Sequence, residues 1–414
     1  MSEIIDMYKH RDIPDLNGML DYNYQNKRNI EKHNFMLYEL LIKADKYVKR
    51  KRNGSCFNYN VTKINMISQI PKPAIYDTSF FPKEIQTYID DNAENALTFR
   101  CKIKDRTVSV TFTLFDSLQS ETVLMLSQSI YKIYMWVYIL DSFSSDRCSK
   151  NLNLYVYLTP FKKSLPNNQL TTLDSVHVNS GFTTGCREDT DIVLYRSEEW
   201  FKVFIHETFH NFGLDFSDMN LSHVNKKMQS VFNMNIEYNI YESYCETWAR
   251  IINTMFYTYL SIPSKKRSDY SLFNTHFTCN MNKESSHSLY QLSNILSFLD
   301  LRYDNVTTKS LDNATICNHL YRENTSVFSY YIISGLLMNN YKDFIHWCYT
   351  NNNMMIKFKK TPTNLDKYID IVYKSSRNKN VIKNINSLEY NFVGGNLNVT
   401  PSMKMSSLDT SNTI

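Results

Sequence analysis

Glycine and proline are scarce in this sequence of 414 residues, with 8 and 9 copies, and no internal repeat is evident. Long hydrophobic runs are also lacking. The most apolar stretch, 130–140, is about half of the roughly 20 residues that span a bilayer, and Lys132 interrupts it. The N-terminus carries charges throughout, where a signal peptide would have an apolar core. We therefore expect an intracellular, cytoplasmic protein without a membrane span.

The cysteines lack the CxxC spacing that is typical of zinc knuckles and redox sites. The eight of them lie far apart, at positions 56, 101, 148, 186, 245, 279, 317 and 348. This spacing favours reduced thiols over a disulfide framework. The 30 Tyr and 24 Phe, with abundant Asn, Lys and Ile, are typical of an AT-rich genome. Such a composition would suit an intracellular parasite, an endosymbiont or a large DNA virus, for which the host cytoplasm or the virion is the expected location.

Strong charge of one sign is absent as well, because the net charge is only +5. We therefore expect no nucleic-acid partner. One basic run, KYVKRKR at 46–52, is compatible with an import signal or a polyanion patch, but the solvated end of a helix is the favoured interpretation. The hydrophobic content of 43% is enough for a core of two or three units. No feature of the sequence predicts the oligomeric state.

The pattern of regular elements predicts an α+β protein. Strands are predicted from β-branched, alternating or short apolar runs at 106–115, 151–158, 176–184 and 191–195, the last two forming a hairpin. Helical spacing of apolar residues predicts helices at 30–51, 118–140, 222–233, 236–260, 284–301, 322–348 and 363–375. Another helix is predicted to begin after an N-cap at Ser197, with Glu198 and Glu199 in its first turn.

These elements divide the chain into four parts. A mainly helical N-terminal region covers 1–96, a core of mixed sheet and helices covers 97–262, and a helical C-terminal region covers 263–390. The polar segment 391–414 is predicted to be a disordered tail.

The helix after Ser197 contains HETFH, residues 206–210. Residues i and i+4 project from one face of a helix, so His206 and His210 can offer imidazole nitrogens to one point. Zinc fits such a point, and Glu207 can act as general base on a water at the open position of the metal. A five-residue motif of this kind arises by chance in roughly one such chain in a hundred, so a third ligand is required.

Two positions for the third ligand compete. In the extended motif HExxHxxGxxH, Gly213 is in place, but the ligand position is Phe216, which cannot bind metal, and Asp215 is one residue off. The alternative is a later helix, in which Glu242 and Glu246 are also four residues apart. One of them would bind zinc while the other accepts the second N–H of a ligand histidine. Glu242 is the favoured ligand and Glu246 its rival.

The pair of motifs, HETFH followed by ESYCETWAR, resembles the gluzincin branch of the zinc metallopeptidases, with sites of the thermolysin and anthrax lethal-factor type. The resemblance covers about 110–260 and implies a zincin-like catalytic core. It implies His206, His210 and Glu242 as ligands of one Zn²⁺, Glu207 as base, and Glu246 as the partner of His206. An edge strand of the sheet would bind extended peptide, and our candidate for it is Val178, Asn179, Ser180, Gly181 and Phe182.

Such sites usually contain a side chain that stabilises the oxyanion of the tetrahedral intermediate. The candidates are Tyr238, Tyr241, Tyr330 and Tyr331, none of which the sequence favours over the others. Asp215, Asp218 and His223, which follow the motif closely, are interpreted as surface or capping residues. The predicted function is a zinc metalloendopeptidase acting on peptide or protein substrates. A catalytically silent zincin-like binding module, or a purely structural zinc site, is the alternative.

Overall fold

The structure is a computed structural model that describes residues 24–409, apart from Asn53 and Asn353, with side chains from residue 31 onward. Its centre is one mixed sheet of six strands in the spatial order β1-β2-β3-β4-β6-β5. The strands are β1 Tyr59–Lys63, β2 Asn95–Ile103, β3 Arg106–Leu114, β4 Asn151–Tyr157, β5 Gly181–Thr183 and β6 Asp189–Leu194. Pairing is parallel for β3–β4 and β4–β6 and antiparallel for the other neighbours.

Helices cover the sheet and build the C-terminal half. They are α1 Tyr24–Lys51, α2 Lys83–Asn92, α3 Ser120–Leu140, α4 Ser175–Val178, α5 Trp200–Asn211, α6 Ser222–Val231, α7 Ile240–Ser261, α8 Tyr270–Phe298, α9 Tyr303–Thr307, α10 Leu311–Leu320, α11 Ser334–Met338, α12 Tyr341–Asn351, α13 Pro362–Ser376 and α14 Lys379–Val393. A π-helix, Phe328–Ile333, precedes α11, and short 3₁₀ turns lie at Ser55–Phe57, Ile67–Gln69 and Ser264–Lys266. This architecture confirms the predicted α+β class.

The two faces of the sheet have different covers. On one face, alternate residues such as Val110 and Leu154 join the main core, which includes α3, α5 and α7. The opposite face carries Tyr157, Val193 and Tyr195 and is covered by α2 and the turn-rich segment before it. The sheet therefore holds α5 in a buried position between β-structure and the C-terminal helices.

Helix α3 has the length and apolar composition needed to cross a membrane, alone among the helices of the described chain. However, 67% of its most apolar window is buried, and a core helix of a soluble protein meets the same criteria. The predicted helix at 118–140 is thus confirmed as a largely buried element.

The helix predicted at 322–348 is divided into the π-helix, α11 and α12, and the helix predicted at 284–301 begins earlier, at Tyr270. Two further differences lie near HETFH. The expected strand at 176–184 is only β5, preceded by the short helix α4, because Asp174 caps a helical turn through its carboxylate. Ser197 is not the N-cap of α5: the helix begins after Glu199, whose backbone is left-handed at φ 56° and whose side chain is buried against Lys163. Glu199 makes no capping hydrogen bond with its side chain, and its ion pair with Lys163 is a contact that sequence spacing does not indicate.

The prediction of a disordered tail is wrong for residues 391–409, of which the first three end α14. Leu165 donates its N–H to Pro401 at 2.7 Å, and the side chains of Met403, Met405 and Leu408 are buried. Ser407 donates its N–H to Glu284 at 2.9 Å. The polar composition suggested disorder, but these few apolar side chains and buried partners order the segment. Residues 410–414 lie outside the described part of the chain, as do residues 1–23 of the N-terminal region.

The expectation of reduced thiols is wrong for four cysteines. Disulfides join Cys56 to Cys101 and Cys148 to Cys186, across 45 and 38 residues of sequence. In the described chain Cys245, Cys279, Cys317 and Cys348 remain free. The pairing was invisible in sequence because each bridge joins segments that only the sheet brings together.

Candidate metal centre

The histidines of HETFH lie on one face of α5 and meet α7. The two helices run antiparallel, because Lys202 contacts Glu246 while His210, two turns further along α5, contacts Glu242. Phe201 with Phe256 and Phe209 with Tyr244 show the same direction of pairing. The predicted return of the chain onto α5 is therefore present in the structure.

Three ligand atoms converge at the crossing of these helices. Glu242 Oε2 lies 3.1 Å from His206 Nε2 and 3.5 Å from His210 Nε2, and the two nitrogens are 3.4 Å apart. Ligands of a tetrahedral zinc at about 2.0–2.1 Å stand about 3.3–3.4 Å from one another. The spacing of the three donors is close to that of ligands around a tetrahedral zinc, and two imidazoles with one carboxylate are a donor set that occurs in catalytic zinc sites.

The outward-facing nitrogen of each imidazole contacts a carboxylate. His210 Nδ1 lies 2.7 Å from Asp215, and His206 Nδ1 lies 3.2 Å from Glu246, the latter without the alignment of a linear hydrogen bond. A carboxylate can only accept, so Asp215 fixes a proton on His210 Nδ1, and the approach of Glu246 favours the same position for the proton of a neutral His206. When both imidazoles are neutral, their Nε2 lone pairs are directed at the common point. Carboxylate partners of this kind orient metal-binding histidines and increase their basicity.

Asp215 is therefore not a surface or capping residue, as the sequence suggested, but a buried partner of His210. The reason is the turn that ends α5. Gly213 adopts φ +64°, and Gly213 and Leu214 donate N–H groups back to His210 and Phe209. This reversal of the chain brings the Asp215 side chain next to His210 on the face of α5. Asp218 and His223 do lie at the surface, paired with Lys360 and Asp366.

Phe216, at the ligand position of the extended motif, is part of the core. Its ring lies 4.2 Å from that of Phe358 and packs against Tyr244. The turn at Gly213 therefore places Phe216 in the core and Asp215 beside His210.

Glu246 differs from Glu242 in its partners. Lys202 Nζ contacts both of its oxygens, at 2.8 and 2.9 Å, and Arg250 Nε lies 3.2 Å away. These cations hold the pKa of the Glu246 carboxyl far below its usual range despite burial. Its charge is already compensated, so Glu246 is suited to orienting His206 rather than to binding a divalent cation.

The charges of the three ligands are strongly coupled. Burial raises the pKa of Glu242, but His210 and His206 outweigh it and bring the pKa down to about 2. Burial lowers the pKa of His210, but Glu242 and Asp215 hold it well above the usual range. The imidazole protons thus compensate the buried carboxylate, and a divalent cation could replace them in that role.

Glu207 follows His206 on α5 and is buried. Its carboxylate accepts no hydrogen bond from any side chain or backbone group that the structure describes. Burial raises its pKa, while His206 and His210 lower it by a smaller amount. The oxygens of Glu207, next to the three ligands, can therefore accept a hydrogen bond from a bound molecule.

The four candidate tyrosines separate into two pairs. The hydroxyls of Tyr238 and Tyr331 donate to the backbone carbonyls of Met234 and Met403. Both hydroxyls are thus engaged with backbone partners. Tyr330 and Tyr241 lie at the site.

Tyr330 sits on the π-helix with its ring centroid 5.8 Å from that of His206. Burial, followed by the negative charges of Glu242 and Glu207, holds the pKa of the Tyr330 hydroxyl well above its usual range. Tyr241 packs edge-on to His210, with centroids 6.2 Å apart, and against Phe216. Among residues 31–409, the Tyr330 hydroxyl makes no hydrogen bond. A π-helix often marks a functional position in a helix.

The sheet has β1 at one edge and β5 at the other. Strand β5 contains Gly181 and Phe182 but not Val178, Asn179 or Ser180 of the predicted segment. Tyr195 donates its N–H to the Ser180 carbonyl, so these two residues form a hydrogen-bonded pair. From there, non-hydrogen-bonded and hydrogen-bonded pairs alternate along β5 and β6. By this alternation, Gly181 and Thr183 turn their backbone N–H and C=O groups away from β6. A Cβ atom at position 181 would lie 2.7 Å from the carbonyl oxygen of Val193, so any residue larger than glycine would collide there.

No protein-family model, curated protein or solved structure matches this chain. The resemblance to gluzincins therefore depends on the two motifs and on the geometry of the residues that they contribute.

Proposed function

We propose that this chain is a zinc-dependent peptidase in which His206, His210 and Glu242 bind one Zn²⁺. The observation that carries the proposal is the spacing of the three donor atoms, 3.1, 3.4 and 3.5 Å apart. The carboxylates of Asp215 and Glu246 beside the outer nitrogens, at 2.7 and 3.2 Å, support it, because metal-binding histidines usually have such a partner at their second nitrogen.

Zinc at this position would act as a Lewis acid on the peptide carbonyl and lower the pKa of a water molecule. Glu207 accepts a proton from the attacking water and returns it to the leaving amine. Its buried carboxylate, free of protein hydrogen bonds, is available for both steps, and its raised pKa brings it closer to the operating range of a general base.

Tyr330 is assigned to the carbonyl oxygen, on which negative charge develops during attack. Its high pKa keeps the hydroxyl protonated and able to donate. The extended substrate pairs with the outward backbone groups of Gly181 and Thr183 on β5. The proposed substrate is accordingly a peptide or protein segment in extended conformation.

The test is metal analysis of the purified protein together with cleavage of a peptide library by the wild type and Glu207→Gln. We expect one zinc per chain in both proteins and a loss of cleavage of at least about a hundredfold in the variant. Glu188→Gln is the matched control, since Glu188 is an exposed carboxylate paired with Lys150. Equal cleavage by wild type and Glu207→Gln would contradict the assigned base.

One observation favours a second function, a structural zinc site or a silent peptide-binding module. The side chains of the ligands are only 8 to 15% exposed, which leaves little room for substrate in this conformation. The same experiment separates the two functions. Zinc without cleavage in the wild type would favour the second, and absence of zinc would contradict both.

A further inference from the structure

The Cys148–Cys186 disulfide lies directly against the turn that ends the active-site helix. Cys148 precedes β4 and Cys186 lies in the turn between β5 and β6. A Cβ atom at Gly213 would stand 3.3 Å from Cys148 Sγ and 3.4 Å from Cys186 Cβ. The left-handed turn at Gly213 is therefore in close contact with the bridge, on the side where a larger residue would collide.

The segment that contains Cys148 also binds the last carbonyls of α5. Ser144 donates its hydroxyl to Phe212 O at 2.9 Å, and Ser149 donates to Asn211 O at 3.0 Å. Helix ends leave such carbonyls without helical partners, so these two serines fix where α5 stops. The bridge attaches this segment to the β5–β6 turn.

Two residues after Gly213 comes Asp215, which orients His210 at 2.7 Å. We propose that the Cys148–Cys186 disulfide positions Asp215 through the Gly213 turn, so that the affinity of the metal site for zinc depends on whether this cysteine pair is oxidised. The inference rests on the metal site of the proposed function, but it does not require that the site cleave peptides.

The bridge is open to reduction from one side, because Cys186 is exposed whereas Cys148 is buried. A thiolate of an external dithiol attacks Cys186 Sγ, the S–S bond breaks, and Cys148 leaves as a thiolate that takes up a proton. The second thiol of the reagent then displaces Cys186 and closes the reagent's own disulfide. The protein gains two electrons and two protons, and the reagent is oxidised by the same amount.

The second disulfide provides a matched control within the chain. Cys56–Cys101 joins the turn before β1 to β2, at the other end of the strand order from β5. Its loss removes a cross-link of similar span, 45 against 38 residues, without touching the Gly213 turn. Any difference between the two variants in zinc affinity is then specific to the contact proposed here.

The experiment measures the zinc dissociation constant by competition with a chromophoric chelator. Serine replaces both cysteines, so that no free thiol of the pair can bind the metal. We expect Cys148→Ser/Cys186→Ser to weaken zinc binding about ten- to a hundredfold, the range found when partners of metal-binding histidines are lost. For Cys56→Ser/Cys101→Ser we expect a change within about twofold.

A double-mutant cycle with Asp215→Asn separates positioning from general loosening. Asp215→Asn should weaken zinc binding when the bridge is intact and should have a clearly smaller effect without it, since both changes act on one contact. Independent, additive effects would overturn the proposal, as would equal affinities of the two serine variants. If the wild type itself binds no zinc, the proposed metal site fails instead.

Should Cys148→Ser/Cys186→Ser not fold, the native protein gives the answer. Zinc-loaded protein is treated with a phosphine, mass spectrometry identifies the opened bridge, and zinc transfer to the chelator is timed. We expect faster release when Cys148–Cys186 opens and an unchanged rate when only Cys56–Cys101 opens. Unchanged release after opening of Cys148–Cys186 would overturn the inference.

Discussion

Glu242 and Glu246 lie one turn apart on α7, and both approach His206, but their surroundings differ. Glu246 contacts two basic side chains, the Lys202 ammonium at 2.8 Å and the Arg250 guanidinium at 3.2 Å. Glu242 has only imidazoles, which can release their protons. Lysine and arginine side chains cannot bind the metal together with their carboxylate partner, whereas imidazoles can exchange their protons for Zn²⁺ and bind it beside Glu242.

The carboxylate of Glu323, which is half-buried, extends the comparison. Glu323 accepts hydrogen bonds from the Phe328 N–H and the Tyr321 hydroxyl, both at 2.8 Å, and both donors are neutral. Burial raises its pKa to about 7, against a pKa of about 2 for Glu242. The partner, rather than burial alone, thus decides the charge of each carboxylate.

The largest effect is expected from Glu242→Gln. Loss of one of three ligands should lower zinc affinity about a thousandfold, roughly a third of a typical zinc binding free energy. The metal-free protein should lose little stability, since His206 and His210 can release their protons. Chelator competition and urea unfolding measure the two quantities, with exposed Glu237→Gln as control. Retention of tight zinc binding would identify Glu246 as the ligand instead.

Glu246→Gln should show the reverse behaviour. Lys202 and Arg250 would remain buried without a counter-charge, so the free energy of unfolding should fall by about 3–5 kcal/mol. Zinc affinity should fall by only about tenfold, because His206 keeps its Nε2 but loses the partner of Nδ1. Urea unfolding of the metal-free protein measures the first effect. A loss below that of the exposed-pair variant Glu188→Gln, which should stay within about 0.5 kcal/mol, would contradict the comparison.

Tyr330→Phe tests whether the Tyr330 hydroxyl stabilises the oxyanion. If the hydroxyl stabilises the oxyanion, kcat should fall about a hundred- to a thousandfold with little change in KM. Tyr241→Phe is the matched control, since it removes a hydroxyl from a neighbouring ring, and its effect on kcat should be small. Zinc content should be normal in both variants. A larger loss of kcat in Tyr241→Phe would exchange the two assignments.

The smallest effect is expected from Glu323→Gln, on the pH dependence of the free energy of unfolding. A carboxyl whose pKa rises on folding binds its proton more tightly in the folded state. Its stabilisation is complete below the unfolded pKa of 4.5 and is lost as the pH rises through about 7. Wild type should therefore lose about 2 kcal/mol relative to Glu323→Gln between pH 5 and 8. Thermal unfolding across this range measures it, and parallel curves for the two proteins would show that Glu323 stays ionised.

The sequence prediction was accurate for helices and strands that have a clear periodicity of apolar residues. The strand Arg106–Leu114, the helix Ser120–Leu140 and the helical location of HETFH agree with the sequence prediction to within two residues at their ends. Each has a clear apolar period and packs one face on the core. The prediction failed where a distant partner intervenes, as for Glu199 with Lys163 or Ser407 with Glu284.

For the site, the sequence by itself determined the reactive groups: the i, i+4 spacing of His206 and His210 follows from helical geometry alone, and so does that of Glu242 and Glu246. Only the tertiary structure decided their roles, because the partners come from elsewhere in the chain. Asp215 reaches His210 through the turn at Gly213, and Arg250 with Lys202 compensates Glu246. Likewise, the cysteine pairing depends on strand order, which puts Cys148 beside Cys186 although nothing near either residue indicates it.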